Sequence, residues 1–149
     1  MIARLSLVCL LGACGGSSSA ECEESPLALV QPPSAIVTAG GESLHVEVAD
    51  TDEERSRGLQ HRRCGVTGLL IVGERPGQPL PIWMCQVAMP LDLAFVRDEI
   101  VVHVVDGAAP CAEPCAACPI YGGDVSADAV LETPAGSFPL RVGERLSRE

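Results

Sequence analysis

Residues 80–96 hold most of the large side chains that this chain can bury, and they constrain its fold more than any other stretch. They contain the only tryptophan, Trp83, two of the three methionines and one of the two phenylalanines. Aromatic residues make up 3% of the chain, and one buried aromatic side chain removes roughly 150–250 Å² from water. We therefore expect a buried hairpin here, with residues 82–85 and 91–96 as its strands.

The rest of the chain has the pattern of short strands around one helix. Residues 43–49 alternate between apolar and polar side chains, and residues 100–105 are almost all β-branched, as strands require. Thr51 followed by Glu54 forms a capping box, which predicts a short helix ending near Gly58. We expect further strands at residues 34–38, 68–73, 128–132 and 140–146.

The N-terminus has the pattern of an export signal. Arg4 precedes an apolar run at residues 5–11, which is too short to span a bilayer. Residues 11–14, Leu-Gly-Ala-Cys, resemble the lipidation signal of bacterial lipoproteins. We predict a lipid on Cys14; an ordinary cleaved signal peptide or an uncleaved short anchor are the alternatives.

This signal divides the chain into three parts. Residues 1–13 would be the signal peptide, and residues 14–33 the lipidated cysteine and a flexible linker that includes Gly-Gly-Ser-Ser-Ser. Residues 34–149 would form a single domain. The prediction places the protein in the bacterial cell envelope, at the outer membrane or the periplasmic face, with the membrane as partner through its lipid.

Eight cysteines are many for 149 residues, and export makes disulfide bonds the expected use of most of them. Cys9 lies in the signal and Cys14 would carry the lipid. The remaining six can form three disulfides, and the residues leave their pairing open. The candidates are Cys22, Cys64, Cys85, Cys111, Cys115 and Cys118.

The charge and residue usage exclude several functions. The formal net charge is −10, which argues against nucleic acid as a partner. The chain contains no lysine, so it cannot form a Schiff base on a side-chain amine, and no asparagine, so it cannot be N-glycosylated. We expect no cofactor and no metal.

Two histidines and one cysteine loop are the remaining candidates for metal or redox chemistry. His45 falls on the polar face of its strand and is expected to be solvated, whereas His103, in an apolar run, is expected in the core. Cys115 and Cys118, in a loop that also contains Cys111, are separated by two residues, a spacing that suits a redox pair or half a zinc site. In an exported protein, a loop cross-linked by disulfides is the favoured interpretation.

Several segments together resemble the uncharacterised bacterial and archaeal family called domain of unknown function 192. The resemblance implies a mainly β, compact antiparallel sandwich or barrel-like domain with one short α-helix, and it implies no reaction. The matching segments are residues 46–59, 68–72, 83–84, 90–95, 118–121, 130–136 and 142–143.

The chain departs from the family pattern directly after Trp83-Met84. The family usually has a basic residue and Asn-Thr there, whereas this chain has Cys85, Gln86 and Val87. The comparison suggests that Cys85 pairs with the additional Cys115, so that a covalent bond replaces a polar contact.

These observations favour a lipid-anchored, non-enzymatic binding or envelope-maintenance module stabilised by disulfides, whose ligand is a small molecule or an envelope protein. Common catalytic motifs are missing, and we predict no catalytic residue. A ligand would contact Trp83, Met84, Asp92 and Tyr121. The alternative is a thiol-disulfide or metal-binding protein that uses the cysteine loop; a weaker hypothesis pairs Asp92 with Glu132 for hydrolysis.

Overall fold

The computed structural model describes residues 22–112 and 114–149. The predicted signal peptide, the lipid site Cys14 and the start of the linker lie outside these residues. The described chain forms one α-helix, α1 (Asp52–Arg57), and short β-strands. The strands are β1 (Ala35–Ala39), β2 (Glu42–Ala49), β3 (Leu69–Val72), β4 (Gln78–Pro79), β5 (Ile82–Trp83), β6 (Leu91–Arg97), β7 (Ile100–Ala108), β8 (Ile120–Tyr121), β9 (Ser126–Ala127), β10 (Ala129–Pro134) and β11 (Ser147–Arg148).

Seven strands form one curled sheet in the order β11-β1-β2-β3-β10-β6-β7. Its pairs are antiparallel except β2 with β3, which is parallel. The predicted mainly β domain with one short helix is therefore confirmed.

The segment before β11 closes this sheet into a barrel. The amide of Val101 in β7 donates to the carbonyl of Glu144 at 2.9 Å, and the amide of Leu146 donates to that of Glu99 at 2.8 Å. β11 then pairs with β1 at the opposite edge of the sheet. We call residues 143–148 the barrel seam. The strand predicted at residues 140–146 is wrong, because this stretch turns at Gly143, whose φ is 87°, and regular pairing begins only at Ser147.

Alternation along the strands produces two apolar clusters, one on each face of the sheet. The barrel core lies inside, and the outer core lies between the sheet and a covering layer formed by residues 80–90 and 119–127. The barrel core contains Val37, Val46, Leu70, Val96, Leu131 and Leu146 among others. The outer core contains Leu59, Ile71, Met84, Leu93, Phe95 and Val130 among others.

The covering layer differs from the predicted hairpin. β5 is two residues long and pairs with β8, with Ile82 opposite Tyr121, instead of with β6. Ile82 points into the outer core, so the next side chain, Trp83, is directed outward and is 45% exposed. The prediction that Trp83 is buried is therefore wrong.

Close backbone packing holds the covering layer on the sheet. Gly122 directly follows β8, has a φ of 66°, and lies over the ring of Phe95. A Cβ atom at this position would come within 2.1 Å of the Phe95 ring. Glycine is therefore required where β8 turns over β6.

The predicted helix and the predicted exposure of His45 are confirmed, whereas the predicted burial of His103 is wrong. The hydroxyl of Thr51 accepts from the amide of Glu54 at 3.3 Å, and the Glu54 carboxylate accepts from the amide of Thr51 at 3.0 Å. His45 is exposed as expected. His103 is also exposed, and its ring packs 5.5 Å from that of Phe95 instead of entering the core. No helix in the described chain has both the length and the apolar character needed to cross a bilayer.

Candidate functional site

Glu132 is a buried acid on the outer face of the barrel. Along β10, Val130 and Glu132 face the outer core, while Leu131 faces the barrel core. Glu132 lies opposite Leu69 of β3 and Leu93 of β6, and it is 4% exposed. Its side chain is therefore held between two apolar neighbours on a rigid central strand.

The Glu132 carboxyl group has no hydrogen-bond or ionic partner among the described residues. Burial disfavours the charged form, which raises the pKa of Glu132 from 4.5 to about 8. At neutral pH the group is consequently a protonated acid, able to donate one hydrogen bond and to accept others.

Glu47 provides an internal comparison. It lies on β2, opposite Leu69, so that Glu47, Leu69 and Glu132 form one row across three strands. Glu47 is 5% exposed, but its two carboxylate oxygens accept from Nη1 of the buried Arg62 at 2.8 and 2.9 Å. Glu47 and Glu132 are about equally buried, but among the described residues only Glu47 has an ionic partner.

Glu132 lines a cavity of about 200 Å³ between the sheet and the covering layer. One wall is the end of α1 and the residues that follow it, and the other is β5 with its neighbours. Gly58, with φ 47° and ψ −134°, ends the helix and allows the sharp turn toward the buried Leu59. We call this cavity the Glu132 pocket; its lining residues are Arg55, Ser56, Arg57, Gly58, Leu59, Gln60, Ile71, Pro81, Ile82, Trp83, Val87 and Glu132.

Two arginines lie at the edge of the pocket and differ in how firmly they are held. The Arg55 guanidinium donates to the carbonyl oxygens of Asp50 and Val72 and to the carboxylate of Asp52. Arg57 donates to the carbonyl of Leu27 at 3.2 Å, and its nearest acid, in Glu53, is 3.9 Å away. Because a guanidinium has five N–H donors, Arg57, with a side chain 48% exposed, keeps donors available for a ligand.

The four predicted ligand contacts lie in different places. Trp83 lines the pocket. Met84 is fully buried in the outer core, and Tyr121 is half-buried beside Ile82. The structure therefore joins Trp83 to Glu132, and it places Met84 and Tyr121 outside the pocket lining.

The Asp92 carboxylate is held in place by backbone hydrogen bonds. Its two carboxylate oxygens accept from the amides of Gly107 at 2.7 Å and Gly136 at 2.6 Å, which ties the bulge in β7 to the turn after β10. Asp92 pairs with Thr133 across β6 and β10, whereas Glu132 pairs with Leu93. Asp92 and Glu132 therefore lie on opposite faces of the sheet, which contradicts their pairing for hydrolysis.

All six predicted cysteines form disulfides, in the pairs Cys22–Cys64, Cys85–Cys115 and Cys111–Cys118. The prediction of disulfides is confirmed, including the pairing of Cys85 with Cys115. This bond joins the covering layer, two residues after Trp83, to the cysteine loop. In the part of the chain that the structure describes, no group of three or more His, Cys, Asp or Glu side chains is arranged to hold a metal ion.

Sequence reasoning missed Glu132 as a pocket residue, although the signal was present. Residues 129–131 are apolar, and the period of two in a strand places Glu132 on the same face as Val130. Asp92 was singled out because it is an acid within an otherwise apolar strand. Glu132 meets the same criterion.

The comparisons with known proteins agree with this architecture. The chain belongs to the family domain of unknown function 192, described as "Uncharacterized ACR, COG1430", whose model matches residues 35–147. No curated protein matches the chain.

Two solved structures share the fold. One is a protein from Sinorhizobium meliloti 1021 described as a candidate transcription regulator, with 24% identity, a TM-score of 0.63, and coverage of 76% of this chain and 91% of that one. The other is a protein of unknown function from Novosphingobium aromaticivorans DSM 12444, with 25% identity, a TM-score of 0.63, and coverage of 84% and 91%. These similarities establish the fold, and neither assigns a function to this chain.

Proposed function

We propose that this protein is a lipid-anchored, non-enzymatic binding module of the bacterial cell envelope that holds a small ligand in the Glu132 pocket. The observation that carries the proposal is a buried carboxyl group that faces a cavity and has no partner among the described residues. Burial of an unsatisfied acid costs free energy, so its presence is best explained by a ligand that completes its hydrogen bonds.

The pocket has the composition of a small-molecule site. Apolar walls from Leu59, Ile71 and Ile82 surround a few polar groups, which is how ligand sites in proteins combine affinity with orientation. The indole of Trp83 adds an exposed aromatic surface at the entrance. The pairing of all six described cysteines favours structural disulfides over the alternative thiol-disulfide or metal-binding function.

Binding at the pocket can be tested with the tryptophan as reporter, because Trp83 is the only one in the chain. Small carboxylic acids, amines, alcohols and monosaccharides are titrated while Trp83 fluorescence and amide NMR shifts are recorded. We expect at least one class to shift the signals of Trp83 and Gly58 in the wild-type protein.

The test variant is Glu132→Leu, which keeps the side-chain bulk and removes the unsatisfied acid, so it should fold at least as stably as the wild type. We expect it to lose the response, while His45→Ala, on the exposed strand face, retains it. Equal binding by Glu132→Leu, or no response to any of the four classes, would refute a ligand site at Glu132.

The membrane anchor is a separate part of the proposal and rests on the lipidation signal at residues 11–14. The described part of the linker supports it, because Cys22 is joined to Cys64 and Arg62 donates to Glu24 at 3.2 Å. These contacts fasten the chain to the domain eight residues after Cys14, and eight residues can span at most about 28 Å.

The anchor can be tested by measuring the intact mass of protein purified from its own membrane. We expect a chain that begins at Cys14, carries acyl groups and has the mass of three disulfides. Cys14→Ser should be found without lipid and outside the membrane fraction. An unacylated wild-type chain with residues 1–13 retained would contradict the proposal.

A further inference from the structure

We propose that the ligand of the Glu132 pocket is a small monocarboxylic acid that carries an uncharged hydrogen-bonding group at its other end. Its carboxylate would bind Arg57 at the rim, and its other end would lie between the apolar walls and exchange hydrogen bonds with Glu132. This inference rests on the proposed function and specifies the class of ligand.

The two ends of the pocket differ in charge. Arg55 and Arg57 are the charged groups that line it together with Glu132. Glu47, which lies in the same row of the sheet beyond Leu69, is paired with Arg62. Both arginines also contact acids of α1, Arg55 with Asp52 and Arg57 with Glu53, but these acids do not line the cavity. The charged groups that face the rim are therefore cationic, whereas the deep end holds Glu132 in its uncharged form.

The positive rim selects the charge of the ligand. Arg57 has donors to spare, and the planar guanidinium matches the geometry of a carboxylate, with which it forms paired hydrogen bonds. The guanidinium groups that line the pocket would repel a cationic ligand. Electrostatics therefore favours an anionic group at the entrance.

The neutral acid selects the group at the deep end. A protonated carboxyl donates one hydrogen bond and accepts others, so a hydroxyl or amide group satisfies it without bringing a second charge into an apolar environment. A carboxylate at this depth would lack a cation, because Arg62 is already bound to Glu47 and Glu24. The ligand is thus expected to be a monoanion and not a dianion.

The volume limits the size of the ligand. A cavity of about 200 Å³ lies below the roughly 300–1,000 Å³ of most small-molecule sites, which favours a small ligand. A chain of about four carbons with one carboxylate and one hydroxyl is small and carries the two end groups that Arg57 and Glu132 would bind. 4-Hydroxybutyrate has these features and serves as the probe.

The experiment titrates three probes, each with four carbons, against the wild-type protein at pH 7. The readout is the change in the amide NMR shifts of Trp83 and Gly58. 4-Hydroxybutyrate carries both groups, butyrate lacks the hydroxyl, and 4-amino-1-butanol replaces the carboxylate by a cation. We expect 4-hydroxybutyrate to bind at least tenfold more tightly than butyrate and no binding of 4-amino-1-butanol.

Two variants test the roles of the charged groups. Arg57→Gln should weaken binding of 4-hydroxybutyrate at least tenfold, while Arg145→Gln, which changes an exposed arginine paired with Glu99, should leave it unchanged. Glu132→Gln keeps a neutral group that donates and accepts, so it should bind within about threefold of the wild type at pH 7. The wild type should bind less tightly above pH 8, and Glu132→Gln should not.

Preferential binding of 4-amino-1-butanol, together with its loss in Glu132→Gln, would overturn the inference, because the ligand would then be a cation paired with ionised Glu132. Binding of a monosaccharide but none of the three probes would also overturn it and would leave the proposed function intact. Failure of every class of probe would overturn both.

Discussion

A buried carboxyl group without a partner couples the stability of a protein to pH. The pKa of Glu132 is about 8 in the folded chain and 4.5 as the ordinary value. Between these values the folded chain keeps a proton that the unfolded chain has released. The free energy of unfolding therefore falls as pH rises through this window and levels off above pH 8, by up to about 5 kcal/mol in total from this group.

The first prediction is that Glu132→Gln removes this dependence. Because the amide does not ionise, the variant should gain stability relative to the wild type as pH rises, by roughly 3–4 kcal/mol between pH 5 and pH 8. Urea unfolding at several pH values measures the difference, in which contributions from all other groups cancel. Parallel pH profiles for the two proteins would show that Glu132 ionises normally in the folded chain.

The second prediction concerns Asp92, which joins the bulge in β7 to the turn after β10. Asp92→Ala removes two hydrogen bonds to a charged acceptor, from Gly107 and Gly136, and should reduce the free energy of unfolding by about 3 kcal/mol. Asp106→Ala, at an exposed position on the neighbouring strand, should change it little. A folded Asp92→Ala protein should still bind ligand at the Glu132 pocket, and loss of binding would restore Asp92 to the site.

At the scale of elements, the disulfides of the covering layer hold the wall of the pocket. Cys85–Cys115 closes a sequence separation of 30 residues, and Cys111–Cys118 closes 7. Short strands such as β5 and β8, with two residue pairs between them, gain little stability from their own hydrogen bonds. The covalent links therefore contribute much of what keeps Trp83 in position.

The third prediction is that the two disulfides differ in their contribution to stability. Loop-closure entropy gives a loss of about 3–4 kcal/mol for the pair Cys85→Ser/Cys115→Ser and about 2 kcal/mol for Cys111→Ser/Cys118→Ser. Urea unfolding of the two double variants beside the wild type measures both. A larger loss for the shorter loop would indicate that strain or packing, and not loop length, sets their contribution.

The sequence predicted those elements whose local signals agree with their surroundings. β2, β6, β7 and α1 carry strong periodicity or a capping box, and the structure contains all of them. The hairpin at residues 82–85 failed because the partner of β5 is a distant loop strand, and nothing in the local pattern specifies a non-local partner. Trp83 was expected to be buried on grounds of size, but the alternation with Ile82 directs it outward.

The candidate site was less predictable than the fold for a related reason. It is formed by the end of α1, β5 and β10, which meet only after the covering layer is placed on the barrel. Composition could identify unusual residues such as Trp83 and Asp92. It could not show that Arg62 neutralises Glu47 while Glu132 stays unpaired. That difference depends on the fold, which places Arg62, in the segment after α1, beside Glu47.

At the scale of the whole molecule, the barrel seam determines whether the sheet is closed or open. Leu146 is 4% exposed and lies in the barrel core between hydrogen bonds to β7 and the start of β11. The seam therefore supplies apolar burial and backbone pairing at the same place.

The fourth prediction is that Leu146→Ala destabilises the domain by about 2–5 kcal/mol, through lost burial and a cavity in the barrel core. Val142→Ala, four residues earlier and 64% exposed, should lie within about 0.5 kcal/mol of the wild type. Thermal or urea unfolding compares the two. Equal stability of both variants would mean that the sheet holds together without the seam.

Because β1 pairs with β2 on one side and with β11 on the other, its outer edge stays open until nearly the whole domain is available. A chain with such distant partners folds slowly, since the loop between them must close first. Until β11 is in place, the outer edge of β1 presents unpaired backbone groups to which a strand of another chain can add. The partly folded domain is therefore expected to aggregate most readily before its last residues reach the seam.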